Sequence, residues 1–352
     1  MIDKFEISVN KVAESRLSMV DFDGIKFGRD YSDHMFMADF YDGKWHDSRI
    51  VPFAPLTLSP ANVSLHYGQS VFEGMKAYKN ANGEVLLFRP LVNSRRINIS
   101  AKRMCLAEIP EEIFMGGILE LLALVKDWVP DREGTSLYIR PLLFAMDEYI
   151  GIKPSDTFRF MIITCPAGAY YSRPVKVMIE THYTRAVEGG TGFAKAAGNY
   201  GSSLYPTKLA QEKGYDQIIW TDAKSHEYVE ESGTMNVLFI IDDILVTTPT
   251  GDTILKGVTR DSVLTLAKDH DLKVEERKLS VVELIDAAKS GRLQEAFGVG
   301  TAASIASISN IGFQETDYKL PVEMLWAKRF TTWLDEIKTG KVEDKYGWIM
   351  KV

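Results

Sequence analysis

Gly298-Val-Gly-Thr-Ala-Ala303, followed by Ser304-Ile-Ala-Ser-Ile-Ser-Asn-Ile-Gly-Phe313, is the stretch on which the fold turns. Its first six residues match the GxGxxA form of a dinucleotide fingerprint, and they follow a predicted strand over Glu295–Val299, as that motif requires. The fingerprint also needs a helix next, so that the pyrophosphate meets a helix N-terminus. Residues 304–313 instead keep a β-rich alternation and end in Asn-Ile-Gly. No βαβ unit is predicted, and nicotinamide binding is discounted.

Outward from that point the chain reads as alternating strands and helices. Strands are predicted at Val85–Arg89, Ser136–Phe144, Thr157–Cys165, Val175–Glu180, Gln217–Thr221, Met235–Ile240 and Lys273–Arg277, with Ser136–Phe144 and Thr157–Cys165 as sheet neighbours. Helices are predicted from Pro90 to about Met104, then at Glu111–Val129, Ser202–Lys213, Thr259–Asp269 and Val281–Lys289. At 352 residues the chain exceeds one ordinary core, since domains run to roughly 100–200 residues. Pro166-Ala-Gly-Ala-Tyr-Tyr-Ser-Arg-Pro174 combines Gly and Pro with aromatics and is the best linker candidate. The reading is therefore α/β (α+β): residues 1–166 as a small domain, 167–176 as an interdomain loop, 177–352 as a larger domain, and a cleft between the two.

A net charge of −7 provides no basic footprint, which disfavours a nucleic-acid partner or an anionic membrane surface. No apolar run approaches the roughly 18 residues of a membrane span. The start, Met1-Ile-Asp-Lys-Phe-Glu6, lacks an apolar signal core, and the acids at Asp3, Glu6 and Glu14 argue against a transit peptide, so a cytoplasmic location is expected. The two cysteines, Cys105 and Cys165, sit far apart in apolar stretches and read as buried free thiols rather than a disulfide or a zinc site.

Lys195, within Phe193-Ala-Lys-Ala-Ala-Gly-Asn-Tyr-Gly201, has a collar of small residues and no charged neighbour for six positions on either side. Such flanks suit a nucleophilic amine that a planar cofactor must approach closely. They suit a Gly/Ala-rich turn before a helix equally well. Tyr200, five residues on, is placed to reach a cofactor ring. A pyridine-type electron sink needs an acid against its ring nitrogen. Val229-Glu-Glu-Ser-Gly-Thr-Met-Asn236 offers two, one of which must point inward if the segment is extended, although a solvated turn explains it too. A phosphate needs cations and free amides. Arg95 and Arg96 share a helix, one facing a cleft and the other solvent. Gly257-Val-Thr259 precedes another helix with Thr259 as its N-cap, and Gly300-Thr-Ala302 forms a small donor-rich turn.

Taken together these segments resemble the branched-chain aminotransferases, members of the fold-type IV family of pyridoxal-phosphate enzymes with a D-amino acid aminotransferase-like architecture. The resemblance runs from about Gly24 to the C-terminus. It includes Phe27-Gly28 with Asp33-His-Met35, Tyr67-Gly68, Phe72-Glu-Gly-Met-Lys-Ala77, Phe88-Arg-Pro90, Tyr138-Ile-Arg-Pro141 and Gly168-Ala-Tyr170. It continues in Gly198-Asn-Tyr-Gly201, Ser232-Gly-Thr-Met-Asn236, Leu255-Lys-Gly-Val-Thr-Arg260 and Phe297-Gly-Val-Gly-Thr-Ala302.

The resemblance implies that Lys195 forms a Schiff base with pyridoxal 5′-phosphate and shuttles the proton between Cα and C4′. It makes Arg96, Val258, Thr259 and Thr301 phosphate contacts, with Thr234 also at the cofactor. It has Tyr200 bond the phenolic oxygen and Glu231 pair with the pyridine nitrogen. Counting back from Gly233 favours Glu231 over Glu230. It implies that Tyr67, Thr234 and Ala302 bind the substrate carboxylate, and that Phe27, Phe72, Tyr138, Tyr200 and Met235 wall a pocket for an aliphatic side chain, where each CH₂ removed from water is worth about 0.8 kcal/mol. Arg140 is the charged residue matched to 2-oxoglutarate. A loop at Tyr149–Ile152 would reach the partner's active site in a homodimer. The implied reaction is a ping-pong transamination of L-leucine, L-isoleucine and L-valine. Two relatives by fold would do other chemistry, the D-amino acid transaminases and the aminodeoxychorismate lyases; the chain length, Phe72–Lys76 and Gly233–Asn236 argue against both. A cofactor-free binding protein on the same fold is disfavoured because every chemical position is filled. Where some relatives carry a CxxC redox pair, this chain has Ala303 and Ala306, so no thiol switch is expected.

Overall fold

The structure, a computed structural model, describes residues 6–352. The expectation drawn from the first residues rests on Met1–Phe5, which lie outside the described residues. Contacts divide the chain into two units. One comprises the chain through Tyr170 together with Ala194–Ala197 and Asp335–Val352, and the other comprises Tyr171–Phe193 and Gly198–Leu334.

The first unit contains β1 (Ser8–Val9), β2 (His34–Tyr41), β3 (Lys44–Pro52), β4 (Ser70–Phe72), β5 (Met75–Lys79), β6 (Val85–Phe88), β7 (Ser136–Ala145) and β8 (Phe158–Ala167). Its helices are α1 (Val63–Tyr67), α2 (Pro90–Arg103) and α3 (Glu111–Leu124). The sheet order is β1-β3-β2-β8-β7-β5-β6, with β4 paired to β7. β7 and β8 form a ten-residue antiparallel ladder, the neighbours expected from their β-rich runs. Leu137, Ile139, Leu143, Phe160 and Ile162 are fully buried there, as suits central strands with apolar side chains on both faces. Pro90 opens α2 at its first turn, where its missing N–H costs nothing.

The second unit holds β9 (Val175–Ile179), β10 (Gln217–Thr221), β11 (Val229–Ser232), β12 (Met235–Ile241), β13 (Ile244–Thr247), β14 (Val274–Glu276), β15 (Leu293–Gly300), β16 (Ser304–Phe313) and β17 (Thr316–Lys319). Its helices are α4 (Ala197–Gly201), α5 (Leu204–Glu212), α6 (Val258–Asp269) and α7 (Val281–Ser290), and α8 (Leu325–Lys338) leads out of it. The sheet runs β11-β10-β9-β16-β15-β12-β13-β14, and an added β11–β12 pairing closes six of these strands into a ring. Residues 298–303 lie where β15 turns back into antiparallel β16, with Gly300 opposite Ser304. The fingerprint-like run is thus a hairpin turn, and no helix follows it.

Several expectations need correction. Residues 177–352 do not form one piece, because β18 (Ile349–Lys351) pairs antiparallel with β6 and the Ala194–Ala197 segment bridges to Val71, which tie both to the first unit. Glu111–Val129 is not one helix: it stops at Leu124 and a 3-10 turn covers Lys126–Trp128. Cys105 is exposed, while Cys165 is buried and its thiol is pushed up by that burial. Among the described residues no helix is long and apolar enough to cross a membrane.

Candidate active site

In the first unit the site grows from one face of α2. Asn93, Arg96 and Ser100 are spaced three and four apart, which stacks them on one side of the helix, and all three are buried although polar. Buried polar groups require partners. Arg96 donates from Nε to Glu73 Oε1 at 2.6 Å and from Nη2 to Oε2 at 2.7 Å, a forked charge-assisted pair. Asn93 adds a donor to Glu73 Oε2 at 2.8 Å. Glu73 has no exposed surface. Burial, the largest single influence, would push its carboxyl up, but the Arg96 charge and hydrogen bonds, the Lys195 charge and the Asn93 bond together outweigh it and hold the carboxyl below the usual range.

Ser100 anchors the lysine. Its hydroxyl accepts the Lys195 N–H at 2.8 Å, and the Lys195 carbonyl accepts the Phe72 N–H at 3.0 Å. With the Val71–Ala196 bridge, the segment lies along β4 like an added strand, so its small residues leave space around the amine without leaving the backbone loose. Lys195 Nζ then stands 4.9 Å from the Phe72 ring centroid. The Arg140 guanidinium lies 4.5 Å from the same centroid and donates to the Tyr138 hydroxyl at 2.9 Å. Phe27 meets Tyr138 edge-on at 4.9 Å. Phe27, Phe72, Tyr138, Arg140 and Lys195 therefore form one group, with two cations meeting one aromatic ring. Tyr67 sits apart from it, half exposed, and donates its hydroxyl to the Ile150 carbonyl of the Tyr149–Ile152 loop. That loop is exposed.

The second unit builds around Glu231. β11 and β12 turn through Gly233, whose φ of +56° suits glycine, and Thr234, which is exposed. The register sets Glu231 opposite Asn236. Glu231 Oε1 accepts from Leu255 N–H at 2.8 Å and from Asn236 Nδ2 at 3.3 Å, while Arg185 Nε stands 3.3 Å from Oε2. Asn236 reaches on to the Leu255 carbonyl at 2.9 Å. Both acids of the pair are buried, which excludes the solvated turn that also explained the segment, and burial pushes the Glu230 carboxyl up.

Thr259 is not the N-cap of α6. Gly257 is, without a side-chain cap, and Val258 begins the helix. A Cβ on Gly257 would come within 2.0 Å of Asn236 Oδ1, so the amide-bearing turn packs directly on the residue that holds Glu231. Met235 packs over Gly298 and Gly300, and Thr301 and Ala302 occupy the β15–β16 turn, half-buried. Tyr200 lies in α4, also half-buried.

These groups have the chemistry pyridoxal phosphate requires: a half-buried amine over an aromatic ring, a buried guanidinium, a buried acid and an uncapped amide turn. Two participants escaped the sequence reading. Glu73 lies within Phe72-Glu-Gly-Met-Lys-Ala77, where the resemblance gave it no role. Arg185, isolated among Thr184 and Ala186, gave no signal.

The sequence pattern of the family described as amino-transferase class IV matches residues 70–311. "Branched-chain-amino-acid aminotransferase 2" of Bacillus subtilis is 44% identical over 334 residues, 93% of this chain and 92% of its own. The crystal structure of a branched-chain aminotransferase from Thermoproteus uzoniensis with norvaline superimposes with a TM-score of 0.75 at 26% identity, covering 90% of this chain and 99% of that one. The T.th. branched-chain amino acid aminotransferase, complexed with N-(5′-phosphopyridoxyl)-L-glutamate, gives 0.74 at 25% identity over 90% and 97%.

Proposed function

The chain belongs to the class IV aminotransferase family, and on that premise we propose that it moves the amino group of L-leucine, L-isoleucine and L-valine to 2-oxoglutarate by ping-pong turnover. It is a branched-chain-amino-acid transaminase and its cofactor is pyridoxal phosphate. When bound, that group supplies a carbonyl carbon that takes up amines and a ring that accepts electrons as the Cα proton leaves.

The chain's own residues do the rest. Lys195 holds the cofactor and carries the proton between substrate Cα and cofactor C4′. Arg96, Val258, Thr259 and Thr301 hold the phosphate, with Thr234 beside it; Tyr200 bonds the phenolic oxygen and Glu231 faces the ring nitrogen. Tyr67, Thr234 and Ala302 take the substrate carboxylate. Phe27, Phe72, Tyr138 and Met235 surround the aliphatic side chain and exclude water, and Arg140 receives the second carboxylate of 2-oxoglutarate. A homodimer, with Tyr149–Ile152 directed to the partner's site, and a cytoplasmic location complete the reading.

The observation that supports it most is the meeting of the Lys195 amine and the Arg140 guanidinium on the Phe72 ring, an amine and a forked cation beside one apolar surface. The test is initial rates with a panel of L-amino acids against 2-oxoglutarate, read beside the absorption spectrum. Branched aliphatic substrates should lead, and Arg140→Met should raise KM for 2-oxoglutarate at least about tenfold while leaving the leucine half-reaction nearly intact. Equal losses for both substrates would refute the role given to Arg140.

A further inference from the structure

Arg185 ties together three parts of the second unit. Its Nε faces Glu231 Oε2 at 3.3 Å, and its Nη2 donates to the carbonyls of Gly192, at 3.2 Å, and Thr253. Gly192 stands three residues before Lys195 in the chain, and Thr253 two before Leu255, whose amide holds the other oxygen of Glu231. The Gly192 contact is close: a Cβ there would come within 2.7 Å of the Asp252 carbonyl oxygen. The Arg185 side chain is only 9% exposed, so its charge is little screened by water.

Glu230 and Glu231 are both buried and adjacent, and two such acids do not both ionise without a compensating cation. Glu230 Oε2 has no hydrogen-bond partner, and although a Thr253 hydrogen bond and the Arg185 charge also act on this carboxyl, its burial outweighs them. Glu231 has the Leu255 amide, Asn236 and the arginine.

Resting on the reading of Glu231 as the ring-nitrogen acid, we propose that Arg185 is its positioning residue: it keeps Glu231, rather than Glu230, as the ionised carboxylate of the pair. A charged Glu231 holds the ring nitrogen protonated. Without Arg185 the carboxylate becomes more basic and takes the proton itself. A nearby opposite charge shifts such a proton distribution by about ten- to a thousandfold.

The experiment loads the full-length enzyme with pyridoxal phosphate labelled with ¹⁵N in the ring and records the nitrogen shift. The native enzyme should give a pyridinium signal. Arg185→Gln should move it toward neutral pyridine and lower kcat about tenfold or more with KM changed far less, while Arg185→Lys, which keeps the charge but not the fork, should retain the pyridinium signal. Glu230→Gln should leave it unchanged. A native-like shift in Arg185→Gln, or loss of the pyridinium signal in Arg185→Lys, overturns the proposal. Glu231→Gln separates the two levels: if that variant keeps the native shift, the role of Glu231 itself is wrong.

Discussion

Glu73 and Glu231 are each buried beside an arginine, yet the two pairs are built differently. Glu73 receives the Arg96 fork at 2.6 and 2.7 Å and Asn93 at 2.8 Å. Glu231 faces one nitrogen of Arg185 at 3.3 Å and takes neutral donors from Leu255 and Asn236. The first pair is forked and short, and it fixes a helix face against a strand end. The second is looser and keeps a carboxylate poised among donors, which suits an acid that must answer to a ring nitrogen. The difference teaches that burial of an ion pair does not by itself announce its task; the number and sharpness of the bonds do.

The largest test of this contrast is Glu73→Ala. Removing one partner strands the Arg96 charge, and a loss of about 3–5 kcal/mol is expected in denaturant unfolding. Glu73→Ala combined with Arg96→Met should recover part of it. Gly257→Ala comes next: the added Cβ displaces Asn236, and a cost of about 1–3 kcal/mol should appear together with weaker cofactor retention, measured by equilibrium dialysis. An unchanged affinity would separate the α6 turn from Glu231.

Smallest is a difference in pH dependence. Glu73 is held below its ordinary value of 4.5, so its contribution is present above that value and is lost as pH falls through its lowered pKa. Glu230 is pushed above 4.5 by burial, so its contribution is present below that value and is lost as pH rises through the raised pKa. Glu230→Gln should therefore match the native protein in acid and exceed it in stability toward neutral pH, by thermal melts across the range. Equal stability at every pH would show that the Glu230 carboxyl is not held neutral.

Local signals carried much of this architecture. Pro90 announced α2, and the β-rich runs at 136–144 and 157–165 announced the central ladder. What escaped depends on distant partners. At the start of α8 the Glu295 carboxylate, from β15, accepts the amides of Trp326 at 2.7 Å and Ala327 at 2.9 Å. The return of β18 to β6 is likewise set by the sheet and not by residues 349–351 themselves. In the candidate site, Lys195 was noticeable as a candidate because an uncharged collar is unusual around a lysine, while its role came from the resemblance. Glu73 and Arg185 were not, because a buried acid or arginine differs from a surface one only through partners 23 and 46 positions away.

The central claim, that Lys195 is the amine bonded to the cofactor, is tested most directly by loading the protein with pyridoxal phosphate, reducing with borohydride and mapping the labelled peptide. The account predicts a single modified lysine, Lys195, and no stable label in Lys195→Ala. Lys76 supplies a built-in contrast, since burial foremost, and then the nearby Lys338 charge, lower its amine to about 7. Label on Lys76, or undiminished label in Lys195→Ala, would contradict the account.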